Sequence, residues 1–236
     1  MATARATAPA SQTLSRGIRI LEILAEAGQS LSIDDVARRL EVHRSIAYRL
    51  LRTLEDHGLV LRDSAGRVAL GGRMAALAAG VATDLQAEAL PELTAIANEL
   101  GATCFLGVLE RDQCITLASI EPRHAVASVA QRPGAQHRVT VGAPGKAILT
   151  LMPESEWPDD ISDRLRGEIA EAARRGYATS HDEVIPTVQA VAVPLAVRGR
   201  RPAALAVVYV DPSHRPAAIA ERLARSAAVI RDALGG

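Results

Sequence analysis

Apolar positions at helical spacing mark the first structured stretch of the chain. In SRGIRILEILAEAG, Ile18, Leu21, Leu24 and Ala25 fall on one face, and Gly28 supplies the C-terminal cap. Ser32, with Asp35 three residues on, makes a carboxylate variant of the capping box, and Val36, Ala37 and Leu40 form the buried stripe of a second helix. A third helix runs from about His43 to Asp56, with Arg44 at its start and Gly58 just past its end. Its sides are chemically opposite. Ile46, Ala47, Leu50, Leu51 and Leu54 form the apolar one, while Ser45, Tyr48, Arg49 and Arg52 follow i, i+3, i+4, i+7 on the other. The period then changes to two in LVLRDSAGRVALG, which predicts short strands around the turn Asp63-Ser64-Ala65-Gly66, with Arg62 and Arg67 near its tip. Helix, helix, polar-faced helix and hairpin is the order of a winged helix-turn-helix.

Further along, the two periods mix. A linker helix is expected over 73–88, and another helix starts near Pro91 and is capped by Gly101. ATCFLGVLERDQCITLASIE reads as a β-hairpin about Glu110-Arg111-Asp112, and HAVASVAQRPG, 124–134, alternates like a further strand. GKAILTLMPE opens a helix, and ISDRLRGEIAEAARRGY forms another. VQAVAVPLAVRGRRPAALAVVYVD is an apolar hairpin turning at Arg198 to Arg201. The last helix, entered at Pro216, carries Ile219, Leu223, Ala227, Ile230 and Leu234. Strands and helices do not alternate strictly, so this half is α+β around an antiparallel sheet. The boundaries that follow are a disordered tail over 1–13, a winged helix-turn-helix over 14–72, the linker helix over 73–88 and a second domain over 89–236.

Charge sharpens this picture only locally. The 236 residues hold 27 basic and 27 acidic side chains, yet residues 1–80 carry 11 arginines against 8 carboxylates and the remainder 16 basic groups against 19 acidic ones. Cys104 and Cys114 lack Cys-x-x-Cys spacing and read as reduced core thiols. The histidines show no metal-ligand spacing, no apolar run reaches the ~20 residues that cross a bilayer, and MATARATAPASQT lacks the apolar core of a signal peptide. A cytoplasmic chain with no membrane partner, metal or cofactor is expected.

Catalytic motifs fail on their defining residues. VGAPGKAILT holds the sole lysine, Lys146, and invites comparison with a phosphate-binding loop. That loop needs Gly-x-x-x-x-Gly-Lys-[Ser/Thr]; here Thr140 replaces the first glycine and Ala147 the magnesium-binding hydroxyl. No Gly-x-Ser-x-Gly elbow is present, and consecutive Ser180-His181-Asp182 cannot fold back into a triad. An enzyme is therefore not expected. The polar stripe of the third helix offers better chemistry: a helix fits the major groove of B-DNA, arginine forks onto guanine O6 and N7, and a basic wing meets adjacent phosphates. The candidate DNA-binding residues are Arg44, Ser45, Tyr48, Arg49, Arg52, Arg62 and Arg67, and the partner is a double-stranded DNA operator.

Ser45-Ile46-Ala47-Tyr48-Arg49-Leu50-Leu51-Arg52-Thr53-Leu54, followed by Gly58 through Gly71, resembles the IclR family of bacterial transcriptional regulators. Gly145-Lys146-Ala147, Arg175-Gly176-Tyr177, Glu183 and the run Val191 to Pro194 extend the likeness over about residues 14 to 234. The chain departs from the family pattern at Ile46 and Tyr48, at Arg138-Val139-Thr140, and at Thr187 and Ala190. The resemblance implies a ligand-responsive repressor or activator that binds a pseudo-palindromic operator as a homodimer or homotetramer. Its second domain would bind an effector, typically a small and often aromatic organic acid. Carried over by position, the pocket comprises Ala125, Ser128, Gly142, Ala143, Ser180, Val188, Ala190, Val207 and Tyr209; a one-residue difference in the Arg198 to Arg201 turn would substitute Ala206 and Val208 for the last two. The N–H groups of Gly142, Ala143 and Gly145 would meet the acid's carboxylate at a helix N-terminus. The competing reading is a small-molecule-binding or catalytic protein with a vestigial helix-turn-helix.

Overall fold

The computed structural model describes residues 11–78, 80, 83–123 and 129–235. The chain divides into two compact units at residues 81 and 82. Of the expected tail, residues 1–10 lie outside the described residues, while Gln12 and Thr13 already belong to the first helix.

The first unit contains α1 (Gln12–Ala27), α2 (Ile33–Arg39), α3 (Arg44–Asp56), the antiparallel pair β1 (Val60–Arg62) and β2 (Val68–Leu70), and α4 (Arg73–Ala78). Ser11 caps α1, which begins at Gln12, three residues before the expected Ser15, by accepting from the Leu14 N–H, and Gly28 ends it at φ 60°. Ser32 and Asp35 complete the capping box of α2. On α1 the buried residues are Gly17, Ile20, Ile23 and Leu24; of the expected Ile18, Leu21, Leu24 and Ala25, Leu24 is buried, Leu21 packs partly against the same core, and Ile18 and Ala25 are exposed. Ile18 is exposed because α1 bears two apolar stripes and the core takes the one centred on Ile20 and Ile23, which pack with Val36, Leu51, Val60 and Val68. Close packing also fixes the end of the hairpin: a Cβ on Gly71 would lie 2.3 Å from the Gly58 carbonyl oxygen.

The second unit is built on a six-stranded antiparallel sheet of order β5-β4-β3-β8-β7-β6. Its strands are β3 (Thr103–Glu110), β4 (Gln113–Ile120), β5 (Gln136–Arg138), β6 (Ala178–His181), β7 (Gln189–Leu195) and β8 (Ala203–Tyr209). Helices α5 (Thr83–Leu100) and α8 (Pro216–Ala233) cover one face through Leu93, Ile96, Ile219 and Leu223. Helices α6 (Gly142–Leu149) and α7 (Asp163–Arg175) cover the other through Ala143, Ala147, Ile148 and Ile169.

Two expected elements differ. The helix placed near Pro91 begins at Thr83 and runs through that proline. Buried Leu85, Ala89, Leu93, Ile96 and Ala97 form a continuous stripe across it, and their burial outweighs the lost hydrogen bond. The expected linker helix over 73–88 is thus α4 plus the beginning of α5, with Gly80 in a turn and residues 79, 81 and 82 outside the described residues. The strand expected over 124–134 is not seen at 129–134, and 124–128 lie outside the described residues. Pro133 has no N–H to donate and Gly134 turns at φ 85°, so the edge strand forms later, at Gln136–Arg138.

Candidate functional site

The first candidate site is the outward side of α3. Ala47 and Leu51 are fully buried, which turns Ser45, Tyr48, Arg49 and Arg52 away from the core. Ile46, expected on the apolar side, is 37% exposed and lines a shallow groove with Thr13, Arg16, Arg49 and Thr53. The seven candidate polar residues fall into two groups. Arg44 is held by Asp34 at 2.6 Å, and Arg62 by Glu55 at 3.3 Å, with its guanidinium 5.8 Å from the Tyr48 ring centroid. Arg67 donates to Ser30 Oγ at 3.1 Å and to the Ser30 carbonyl, bracing the hairpin where Val68 bridges Leu31. Ser45 Oγ meets His43 Nδ1 at 2.8 Å. Arg49 and Arg52, by contrast, are exposed and make no ion pair with the described residues. Two fixed cations on an uncrowded helix face suit a polyanion that forks onto arginine.

The second candidate site lies between α6 and the sheet. The alternation of β8 decides its floor: Val207 and Tyr209 pack in the α5/α8 core, with Tyr209 5.0 Å from the His214 ring, whereas Ala206 and Val208 face α6. The positions carried over as Val207 and Tyr209 are therefore corrected to Ala206 and Val208. The loop from Leu195 to Ala203 sets the strand register at Gln189↔Tyr209, and one residue in it moves every side chain to the opposite face. Ser180, Val188 and Ala190 do border the α6 side, and Phe105, Gln131, His137 and Pro144 join them around a cavity of about 30 Å³. Ala125 and Ser128 lie outside the described residues.

The head of α6 differs from the expectation most. Its N-cap, Val141, donates its N–H to the Arg138 carbonyl at 3.0 Å. The Gly142 N–H donates to Glu183 Oε2 at 2.9 Å and the Ala143 N–H to Ser180 Oγ at 3.0 Å. Pro144 has none to give, and Gly145, the fourth helical residue, points its N–H along the helix. All four amides that a helix leaves unpaired are thus accounted for, and the carboxylate at this N-terminus is the chain's own. Sequence reasoning cast Gly142, Ala143 and Gly145 as open donors; the partners that close them come from 37 and 41 residues away, beyond any local pattern.

Lys146 extends the same cluster. Its side chain is 5% exposed and its Nζ lies 2.6 Å from Glu183 Oε1, 2.5 Å from Glu168 Oε2 and 3.3 Å from the Thr179 carbonyl. Burial disfavours the Glu168 anion, but hydrogen bonds from Lys146 and Arg164 outweigh it and hold that carboxyl below its usual range. Gly145 permits the helix to sit here at all, since a Cβ would lie 2.1 Å from the Val139 carbonyl oxygen. No spacing rule in the sequence points to Glu168, and Glu183 stands there only as part of a motif.

Comparison with known proteins follows the same division. Residues 13–64 match the IclR helix-turn-helix domain and residues 78–162 the bacterial transcriptional regulator IclR C-terminal domain. The glycerol operon regulatory protein of Streptomyces griseus is 29% identical over 86% of this chain and 86% of its own length. The HTH-type transcriptional regulator XynR of Escherichia coli is 26% identical over 79% of this chain and 81% of its own. Among solved structures, an IclR transcriptional regulator from Alicyclobacillus acidocaldarius superposes with a TM-score of 0.81 at 28% identity, covering 96% of this chain and all of that one. An IclR homolog from Microbacterium hydrocarbonoxydans, complexed with 4-hydroxybenzoate, gives a TM-score of 0.78 at 25% identity, covering 95% of this chain and 99% of that one.

Proposed function

The chain belongs to the IclR family of bacterial transcriptional regulators, whose members are regulators and not enzymes, and from that premise we propose that it binds a pseudo-palindromic operator through α3 under the control of a small-molecule effector. The observation that carries this reading is the pair of exposed arginines, Arg49 and Arg52, on the outward side of α3, which make no ion pair with the described residues. Ser45 and Tyr48 share that side and would read base edges, and Arg44, Arg62 and Arg67 would flank them. A two-fold dimer would present two such helices to successive major grooves. The unused apolar stripe of α1 supports pairing with a second copy, because Leu14 and Ile18 are 64% and 49% exposed beside half-buried Leu21. Homodimer and homotetramer both satisfy this, and such a protein acts in the cytoplasm, where its DNA is.

The effector belongs between α6 and the sheet, where Phe105, Pro144, Val188, Ala190 and Val208 offer an apolar wall and Ser180 a hydroxyl. An organic acid, aromatic acids included, is the class proposed, supported by the 4-hydroxybenzoate in the Microbacterium relative. The test is retardation of DNA from upstream of the chain's own gene at ~150 mM salt, where non-specific contacts fade. Wild type should give a specific complex and Arg49→Ala should lose it; equal, weak binding by both would defeat the DNA-reading role of α3.

A further inference from the structure

An open cleft of about 890 Å³ borders Lys146, but the cavity on the Gly142 and Pro144 side of α6 measures only about 30 Å³, room for one or two water molecules and not for an organic ligand. Its roof is the short loop between β6 and β7, from which Val184 and Ile185 reach over it, 48% and 38% exposed. Val184 rests against Gly142, where a Cβ would come within 2.9 Å of its Cγ2. The loop closes on itself through the Asp182 N–H to the Val188 carbonyl at 3.1 Å, and it holds two non-glycine residues at positive φ, Asp182 at 61° and Thr187 at 67°. Aspartate adopts this conformation readily, but the β-branched Thr187 keeps it only where its surroundings hold it. The residue that ties this roof to α6 is Glu183, through the Gly142 N–H and Lys146 Nζ.

We propose that Glu183 is a tethered stand-in for the effector's carboxylate, so that binding exchanges one carboxylate for the other and frees the 182–187 loop from α6. This rests on the effector reading above and specifies how that site is controlled. Making room for a ligand means lifting Val184 and Ile185, and lifting them draws Glu183 off its two donors. An uncharged ligand leaves the Gly142 N–H and one side of Lys146 unmatched, whereas an acid restores both contacts. Lys146 keeps Glu168 throughout, at 2.5 Å, so the ammonium is never left alone in its buried position. The exchange therefore selects for acids and couples their binding to release of a surface loop, which is the differential contact between two states that an allosteric ligand requires.

The experiment compares the full-length wild type with Glu183→Gln and Glu168→Gln, using 4-hydroxybenzoate and benzoate with benzyl alcohol as the uncharged analogue. Titration calorimetry reads affinity, and hydrogen exchange reads the amides of 182–188. Glu183→Gln removes the competitor and should tighten acid binding by about tenfold or more, with little change for the alcohol. Glu168→Gln takes the same charge from Lys146 but leaves the latch in place, so its gain in acid affinity should be clearly smaller than that of Glu183→Gln and exchange at 182–188 should stay as in wild type. Acid added to wild type should speed exchange at 182–188, and ligand-free Glu183→Gln should already exchange that fast. Equal gains in both variants, or weaker acid binding in Glu183→Gln with an unchanged thermal midpoint, would overturn the exchange while sparing the effector reading. If neither acid binds wild type or either variant, both fall. Should Glu183→Gln prove unstable, Val184→Gly, which loosens the roof without touching the latch, should speed exchange in the loop and tighten acid binding severalfold; no change in either would also overturn the proposal.

Discussion

Helices α3 and α6 both present donors that suit an anion, and they differ in who supplies it. On α3, Arg49 and Arg52 point outward and make no ion pair with the described residues, while their neighbours Arg44 and Arg62 are held by Asp34 and Glu55. On α6, Glu183, Ser180 and Glu168 already take up the Gly142 amide, the Ala143 amide and the Lys146 ammonium. A helix face left unpaired in the folded chain fits a rigid external polyanion that arrives with its own charge. A saturated helix end fits a ligand that must displace something, and so it can transmit the fact of its binding.

Substitutions can break this contrast from either side. The largest expected effect on the fold is Gly145→Ala, because its Cβ would fall 2.1 Å from backbone that cannot give way. A loss of about 3 kcal/mol, the upper end of ordinary overpacking, should appear as a lower urea midpoint for the second unit. A midpoint within error of wild type would mean that α6 can slide, and the saturation of its N-terminus would lose its rigidity. Lys146→Met comes next. It leaves Glu183 and Glu168 facing each other at 26% and 32% exposure, so the cost should be about 2 kcal/mol, below that of breaking a fully enclosed pair, again read from the urea midpoint. On α3 the expected effects are smaller: Arg44→Ala should change stability by no more than about 0.5 kcal/mol, since its pair with Asp34 is over half exposed on both sides, and should weaken operator binding less than Arg49→Ala does. Fluorescence anisotropy with labelled operator checks this, and a loss as large as that for Arg49→Ala would erase the distinction between paired and unpaired arginines.

How far the sequence could carry these conclusions depended on the range of the interaction. The outward direction of Ser45, Tyr48, Arg49 and Arg52 follows from helical period alone, because Ala47 and Leu51 leave the core one choice. The same rule misreads α1, where Leu14, Ile18 and Leu21 form a second stripe as apolar as Ile20, Ile23 and Leu24, and only the partner packed against the helix selects between them. In β8 a single residue of turn length decided whether Val207 or Val208 faces α6, a distinction that periodicity of two cannot supply without the register. Glu183 was visible as a motif residue, but its contact with Gly142 spans 41 residues and joins a loop to a helix end, so no spacing rule reaches it.

Lys146 has a chemical consequence beyond its ion pairs. It is the sole lysine of 236 residues, and its amine is sealed at 5% exposure between two carboxylates. Every other side-chain cation apart from histidine is an arginine, which amine-directed acylating reagents leave alone. Such a reagent therefore meets no lysine on the closed surface, and each acyl group that arrives at this one position records a moment when the corner of α6, β6 and α7 stood open.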